Sequence, residues 1–474
     1  MSSPPIVIQG GMGVAVSGWH LARAVSHAGQ LGVVSGTALD VVLAHRLQLG
    51  DPTGEILWAM THFPDQAVTA HVLRTFFVPG GKADAAPFVG IPMYTAAPTQ
   101  RRQELAVVAG FVEVFLAKQG HDGPVGINFL EKIQLPTPAT LYGALLASVD
   151  YVLVGAGIPR DVPSLLDALC NHEPVSLPLH VIGTTEADRF EVRFDPREIL
   201  AQSPHPLKRP RFLAIVASAT LAASLARHGG RIDGFVVEGP SAGGHNAPPR
   251  GPLKLSEEGE PVYGPRDVAD LARFRDLGLP FWLGGTFASP ERVRQAREAG
   301  AAGVQVGTLF ALCKESGIDP ALKERILESA RNGAARVFTD PLASPTGFPF
   351  KVLCLEGTLS EPAVYERRER LCDLGYLREL YRRSDGTVGY RCPGEPIEDY
   401  LRKGGRIEDT EGRKCICNGL LATVGLGQQR KAGPEPPIVT SGDDLSGVVR
   451  LLDGGKTSYS AADVVAHLTN PASA

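Results

Sequence analysis

Short apolar runs alternate with longer helical patterns over the first two thirds of the chain. Each run ends in glycine or a polar residue and is followed by a stretch rich in Ala, Leu and Arg. This alternation is typical of βα units. The runs predicted as strands are Ile6–Ile8, Gly32–Ser35, Val125–Phe129, Tyr151–Gly155, Phe212–Val216, Gly234–Glu238, Phe281–Gly285 and Gly303–Gly307.

Eight strands of this kind favour a closed barrel over a doubly wound sheet. The runs are continuously apolar instead of alternating, as expected for parallel strands that are buried on both faces. The predicted fold is therefore an α/β (β/α)₈ TIM barrel. In such a barrel the loops at the C-terminal ends of the strands carry the active site.

Three segments depart from the βα pattern. Residues from about 56 to 124 and from about 179 to 210 have no clean period, and both are interpreted as insertions in a barrel domain of residues 1–340. Residues 341–474 are predicted to form a partly helical, cysteine-containing C-terminal extension. Within it, Glu361–Arg383 resembles a charged helix, and Leu445–Thr469 regains the apolar spacing of a helix that docks on the barrel.

Composition narrows the class of protein. The 474 residues are 43% hydrophobic and 21% charged, which suits a packed globular enzyme. The formal net charge of −4 gives no electrostatic reason to bind nucleic acid or an anionic membrane. With no long apolar segment and no hydrophobic leader, a cytoplasmic location is expected. Nothing in the sequence decides the oligomeric state, and a homo-oligomer is compatible with it.

Glycine-bearing loops follow several of the predicted strands. Gly284-Gly285-Thr286 follows the seventh, where missing Cβ atoms would let a ligand approach the backbone. Gly307-Thr308 follows the eighth and opens a predicted helix, Leu309–Lys314, whose N-terminus would hold a phosphate. Tight turns without a ligand are the favoured explanation of each glycine pair when it is taken alone, because glycine is the default turn residue. Their coincidence at strand ends favours a site for a phosphate and a ring.

His245 is the best catalytic candidate among the 12 histidines. It lies in the loop after the sixth strand, next to Gly243 and Gly244, and so faces the predicted barrel mouth. Imidazole, with an ordinary pKa of about 6.5, can accept or donate a proton at neutral pH. A surface or structural histidine is the alternative.

Four of these segments together resemble one family. The segments Ile8–Gly13, Gly243–His245, Gly284-Gly285 and Gln305–Thr308 are similar to motifs of the nitronate monooxygenase (2-nitropropane dioxygenase) family, and the similarity runs from about Pro4 to Lys314. The resemblance implies a barrel that binds FMN and oxidises alkyl nitronates with O₂, with the loop histidine near the flavin. Related flavin-dependent enoyl-acyl-carrier-protein reductases share the motifs, which therefore specify FMN better than they specify a substrate.

The resemblance also implies roles for individual residues. Carried over to this chain, it places Gly11, Met12, Gly13 and Asn128 at the flavin ring. Gly243 and Gly244 would lie near the phosphate. The residues expected to complete the phosphate-binding site, called the phosphate grip, are Gly284, Gly285, Gly307 and Thr308. The chain departs from the family in the longer segment Glu238–Ala242, which precedes Gly243 and Gly244.

Five of the seven cysteines lie in the extension, but they do not show the spacing of a metal site. Only Cys415 and Cys417 are close in sequence, with one residue between them. Zinc and iron–sulfur sites normally show pairs such as Cys-x-x-Cys. Reduced structural cysteines are therefore favoured over a zinc clip, and no metal is predicted.

The function predicted is an FMN-dependent nitronate monooxygenase that acts on a small-molecule anion and O₂ and releases a carbonyl compound and nitrite. A reductase that takes hydride from NAD(P)H and acts on an enoyl thioester or a quinone is a second possibility. The chain has no Rossmann fingerprint, but barrel flavoenzymes bind NAD(P)H without one. An FMN-binding accessory module without turnover is a third, and it would leave His245 idle.

Overall fold

The computed structural model describes residues 4–200 and 205–470. All eight predicted strands are present, with bounds that differ from the predicted ones by at most one or two residues. They are named β1 (Val7–Gln9), β2 (Gly32–Ser35), β3 (Val125–Leu130), β4 (Tyr151–Gly155), β5 (Arg211–Val216), β6 (Gly234–Glu238), β7 (Phe281–Gly284) and β8 (Gly303–Val306).

The eight strands form one parallel sheet that closes on itself. Each strand pairs with its neighbour in chain order from β2 to β8, and β8 pairs with β1 through Val7 opposite Val304. A parallel bridge between Ile8 and Leu31 joins β1 to the start of β2 and closes the ring. The predicted TIM barrel is confirmed.

Large apolar side chains fill the barrel interior. Trp282 is 1% exposed, packs with Ile8, Leu213 and Val236, and donates its indole N–H to the carbonyl of Pro5 at 2.8 Å. The helices around the barrel are Trp19–His27, Leu39–Gln48, Glu55–Thr61, Gln66–Phe76, Gln100–Ala117, Thr137–Leu146, Val162–Cys170, Ala219–His228, Leu271–Asp276, Pro290–Glu298, Thr308–Ala311 and Pro320–Arg331. None of the helices in the described ranges is both long and apolar enough to cross a membrane.

The segment 56–124 is more regular than its sequence indicates. It contains three of those helices, and the 18-residue helix Gln100–Ala117 packs against the helices on either side of it and against β2 and β3. Nearly every residue of this helix is buried, so it has no polar face to mark a helical period. The segment 179–210 is largely irregular and holds short strands, Val181–Ile182 and Glu191–Phe194, and a 3₁₀ turn, Pro196–Glu198. Residues 201–204 of that segment lie outside the described residues.

Both the first and the last segments of the extension pack onto the barrel. The strand Arg336–Asp340 pairs antiparallel with Phe350–Cys354, so a hairpin spans the predicted boundary near Asp340. As expected, the C-terminal part is helical, with Ser446–Leu451 and Ala461–Thr469, and the second helix packs against Trp19–His27.

The remaining elements of the barrel part are Val175–Pro178 and Pro265–Asp267. Those of the extension are Pro362–Arg367, Glu379–Arg382, Val388–Arg391, Ile397–Arg402, Ile407–Thr410, Ile416–Thr423, Gln429–Arg430, Gly433–Pro434 and Asp453–Gly455.

The prediction of one charged helix over Glu361–Arg383 is wrong. Only Pro362–Arg367 is helical, and Glu379–Arg382 is a strand that pairs with Val388–Arg391. Between them the chain turns inward, and Gly375 has a φ of +72°, which a helix cannot contain.

Candidate functional site

A cavity of about 240 Å³ opens at the C-terminal ends of the barrel strands. Loops after several strands meet there, as the geometry of a parallel barrel requires. Every site residue predicted from the sequence lines this cavity: Gly11, Met12, Gly13, Asn128, Gly243, Gly244, His245, Gly284, Gly285, Gly307 and Thr308. The fold thus brings together positions that are as far as 297 residues apart in the chain, from Gly11 to Thr308.

The loop after β1 lies directly against the end of β3. The Asn128 amide donates a hydrogen bond to the carbonyl of Gly11 at 3.3 Å, and Gly11 has no room for a Cβ beside the Asn128 side chain. The Met12 N–H donates to the Ser17 hydroxyl at 2.8 Å. The Ser17 N–H donates to the Met12 carbonyl at 3.0 Å. These contacts fix the first loop at the cavity floor.

The helix after β8, which was predicted to hold a phosphate at its N-terminus, is shorter than predicted. The helix after β8 covers only Thr308–Ala311 instead of Leu309–Lys314, because the chain leaves it to form a hydrogen bond from the Lys314 N–H to the carbonyl of Tyr459 at 2.9 Å. The Thr308 hydroxyl accepts from the N–H of Gly442 at 3.0 Å. A segment of the extension therefore completes this side of the cavity.

Two loop conformations there depend on glycine. Gly285 has a φ of +90°, and a Cβ on it would lie 2.8 Å from the hydroxyl oxygen of Ser241. Gly244 has a φ of +80°, and its N–H donates to the Thr440 hydroxyl at 2.8 Å. A side chain at either position would strain the loop. No sequence motif points to Thr440, because it reaches the site through a contact with a distant part of the chain.

Glu238, at the end of β6, is a site residue that the sequence prediction did not assign. Its side chain lines the cavity and accepts a hydrogen bond from the Gln305 amide at 3.0 Å. Burial raises the pKa of the Glu238 carboxyl to about 7, and the Gln305 hydrogen bond only partly opposes this. Glu238 therefore titrates near neutral pH, where it can hold or release a proton beside a ligand.

The raised pKa of Glu238 predicts a pH dependence of stability. Because the folded state favours the protonated form, the contribution is fully present below the ordinary pKa near 4.5 and is lost as the pH rises through about 7. We expect the free energy of unfolding of Glu238→Gln, relative to wild type, to be higher at pH 8 than at pH 5. Urea unfolding of the flavin-free proteins at both pH values measures this difference. An equal difference at both pH values would show that Glu238 has an ordinary pKa.

His245 is positioned by the hairpin that begins the extension. Its main chain forms an antiparallel bridge with Phe350, and its ring meets the Phe350 ring edge at a centroid distance of 4.8 Å. Nε2 lies 2.7 Å from the hydroxyl oxygen of Ser344. Burial, with a smaller effect from the charge of Lys132, lowers the pKa of His245 to about 3. The imidazole is therefore neutral at physiological pH.

A chain of polar groups leads from His245 away from the cavity. The Ser344 hydroxyl lies 2.9 Å from the Thr346 hydroxyl, and Lys132 donates to the Thr346 hydroxyl at 3.5 Å. The Lys132 ammonium also lies 3.6 Å from the centroid of the Phe348 ring. Burial lowers the pKa of Lys132 to about 8, so this cation remains mostly charged at neutral pH and places positive potential behind His245.

The extension forms the apolar wall of the cavity. The lining residues that it contributes include Phe350, Leu374, Tyr376, Leu377, Ile416, Cys417, Leu420, Thr423 and Val439. Tyr376 donates its hydroxyl to Asp40, which also pairs with the buried Arg102, so this wall is fastened to the barrel helices. The extension thus covers the barrel mouth.

Two cations of the extension, Lys351 and Arg391, have structural partners. The Lys351 side chain is 3% exposed and donates to Thr339 at 2.7 Å and to Asp443 at 2.6 Å. Arg391 pairs with Glu379 at 2.6 Å. Neither Lys351 nor Arg391 is among the residues that line the cavity.

The cavity residues fit a flavin mononucleotide. Gln305 Oε1 is buried without a hydrogen-bond partner, although the amide nitrogen of the same side chain is engaged by Glu238. An N–H group of a bound ring would satisfy this acceptor. Gly243, Gly285 and Gly307 line the same cavity. A Cβ at Gly243 or Gly285 would meet Gly442 or Ser241 within 3 Å, so these glycines allow the loops to pack closely. A cavity with an apolar wall and few polar groups suits a flat heteroaromatic ring.

Comparison with known proteins supports the resemblance. Residues 207–341, which carry the loops after β6, β7 and β8, match the family model described as nitronate monooxygenase. The chain is 35% identical over 98 residues to a probable nitronate monooxygenase of Bacillus subtilis, which is 21% of this chain and 26% of that protein. It is 33% identical over 121 residues to a nitronate monooxygenase of Pseudomonas aeruginosa, 25% of this chain and 32% of that protein. The alignments thus span about a quarter to a third of the curated relatives.

Solved structures with similar folds cover nearly the whole chain at low identity. FabK of Thermotoga maritima has a TM-score of 0.47 at 16% identity and covers 98% of this chain and 92% of its own. A nitroalkane oxidase of Streptomyces ansochromogenes has a TM-score of 0.42 at 16% identity, with 98% and 95% covered.

Proposed function

We propose, on the premise that residues 207–341 belong to the nitronate monooxygenase family, that this chain is an FMN-dependent oxidoreductase that oxidises alkyl nitronates with O₂ to a carbonyl compound and nitrite. The observation that carries the proposal is the single cavity lined by the loops after β1, β6, β7 and β8 together with His245.

FMN, when bound, supplies the redox chemistry, and the protein supplies binding and orientation. In this proposal Gln305 accepts a hydrogen bond from the ring, and Gly243, Gly285, Gly307 and Thr308 hold the phosphate. The apolar wall from the extension excludes water from the reacting groups. Glu238 holds or releases a proton next to Gln305.

His245 acts in this proposal as a neutral hydrogen-bonding group that orients the substrate. Ser344 engages Nε2 and leaves the other ring nitrogen for the nitro group of the substrate. Because a pKa of about 3 makes this imidazole a weak base, we assign it to orientation and charge stabilisation rather than to removing a proton. A nitronate is already an anion and needs no base to be formed in the site.

The surroundings favour an anion with an alkyl chain. Lys132 provides a positive charge behind His245, and Ile133, Leu374 and Leu377 offer an apolar surface to the chain of the substrate. A small alkyl nitronate combines both properties. An acyl thioester would also present an apolar chain, so the reductase remains the second candidate.

Anaerobic mixing distinguishes the two candidates. The oxidised protein is mixed separately with propyl-2-nitronate, NADH and NADPH while the visible flavin absorbance is followed. We expect propyl-2-nitronate alone to bleach the flavin, with nitrite released after O₂ is admitted. Bleaching by a nicotinamide alone would assign the chain to the reductases. Bound flavin that no donor reduces would favour the accessory module.

A further inference from the structure

Four cysteines of the extension line one small void beside the main cavity. Cys372 follows the helix Pro362–Arg367, Cys392 follows the strand Val388–Arg391, and Cys415 and Cys417 lie at the start of the helix Ile416–Thr423. The void shares wall residues with the cavity, which are Leu374, Leu377, Ile416 and Cys417. Their wide sequence spacing conceals this convergence.

The four thiols are free, and each lies near at least one other thiol of the group. The thiols of Cys372 and Cys392 lie within hydrogen-bond distance of each other. Cys415 and Cys417 lie near Cys372. In the described residues no three His, Cys, Asp or Glu side chains are already arranged to hold a metal ion. Binding would therefore require these thiol side chains to rotate toward a common centre.

Hydrogen-bond donors point at the sulfur atoms. The Asn418 amide donates to Cys415 Sγ at 3.3 Å. The main-chain N–H groups of Tyr376 and Leu377 face the sulfur of Cys417. Donors of this kind stabilise thiolates and tune the metals bound to them.

Buried positive charge lies near two of the four thiols, although neither arginine lines the void. Arg368 is 9% exposed at its side chain, and its Nη2 atom is buried with no hydrogen-bond partner, while its Nε pairs with Glu435. The charge of Arg368 acts on Cys415, and that of Arg378 acts on Cys372. An unpartnered guanidinium nitrogen and a second arginine next to four thiols indicate that negative charge belongs there.

Of the nearby carboxylates, Glu435 pairs with Nε of Arg368 but leaves its Nη2 without a hydrogen-bond partner. Asp373 pairs with Arg430 at 2.7 Å, and Glu395 pairs with Lys403 at 2.7 Å. A centre with four thiolate ligands would add the net negative charge that the remaining donor atoms can balance.

We propose that Cys372, Cys392, Cys415 and Cys417 bind a thiophilic metal centre, zinc or an iron–sulfur cluster, that fastens the extension at the cavity wall. Four thiolates are a common ligand set for both. Each thiol that binds loses its proton to solvent, and no electron is transferred in forming the zinc site. The proposal does not depend on the substrate of the main cavity.

Metal analysis of the wild-type protein tests the proposal without any substitution. The full chain is purified once under anaerobic, iron-replete conditions and once aerobically from zinc-replete cells, and iron, zinc and acid-labile sulfide are measured per chain. About two to four irons with matching sulfide identify a cluster, and about one zinc identifies a zinc site. Neither metal in either preparation, with all seven cysteines reactive as free thiols after denaturation, would overturn the proposal.

A double variant locates the metal. Cys415→Ser with Cys417→Ser is expected to lose the metal, whereas Cys354→Ser is expected to retain it, because Cys354 lies in the same extension but does not line the void. Flavin content and circular dichroism report separately whether the barrel is intact. Metal retained in full by the double variant would overturn the assignment of these ligands.

Discussion

Replacing His245 with alanine is expected to lower kcat/KM for an alkyl nitronate by about 10²- to 10³-fold while the flavin stays bound. The imidazole lines the cavity and bonds to Ser344, which is not one of the residues proposed to hold the phosphate. The expected loss therefore lies in the chemical step. Steady-state oxygen consumption, together with the visible spectrum of the purified variant, measures both quantities.

The control for that variant is His228→Ala. His228 is exposed at the end of the helix Ala219–His228, where its ring hydrogen-bonds with the Ser224 carbonyl at 3.2 Å. This variant should keep wild-type kinetics. Wild-type turnover by His245→Ala would remove the catalytic assignment and favour the accessory module.

Replacing Gly11 with alanine is expected to destabilise the protein by about 1–3 kcal/mol and to expel the flavin. A Cβ at Gly11 would overlap Asn128 Cβ and lie 3.1 Å from Val33 Cγ1. Asn128 would have to move, and with it the loop after β1 that the proposal places at the flavin. Urea unfolding and the flavin-to-protein absorbance ratio measure the two effects.

Gly10→Ala is the matched control for that variant. Its Cβ would have no neighbour nearer than 3.5 Å, which is ordinary contact, so stability and flavin content should stay near wild type. A Gly11→Ala variant that holds flavin as well as Gly10→Ala does would show that the first loop does not contact the cofactor.

The barrel was predictable because its strands are continuously apolar. β4 and β6 have the bounds expected from Tyr151–Gly155 and Gly234–Glu238, since a strand buried on both faces admits few polar residues. The same burial hid the helix Gln100–Ala117, which has no polar face. Glu361–Arg383 misled in the opposite way, because its charged side chains bond to distant parts of the chain, Arg370 to the Glu395 carbonyl and Arg382 to Asp188, instead of lying along one helix.

The candidate site was predictable where strand ends carry glycine. Gly284, Gly307 and His245 converge because parallel strands bring their C-terminal ends together. Ser344 and Thr440 could not be found in this way, since they reach the site through contacts about 100 to 200 residues apart. The four-cysteine void was missed for the same reason, because it joins three separate segments of the extension.

The central claim is that the strand-end loops form a flavin site, and the cofactor content of the purified chain tests it most directly. The protein is purified, its visible spectrum is recorded, and the cofactor released by denaturation is identified by chromatography and mass. The account predicts about one FMN per chain, bound by wild type and by His245→Ala. A colourless chain that takes up no flavin when incubated with excess FMN would contradict it.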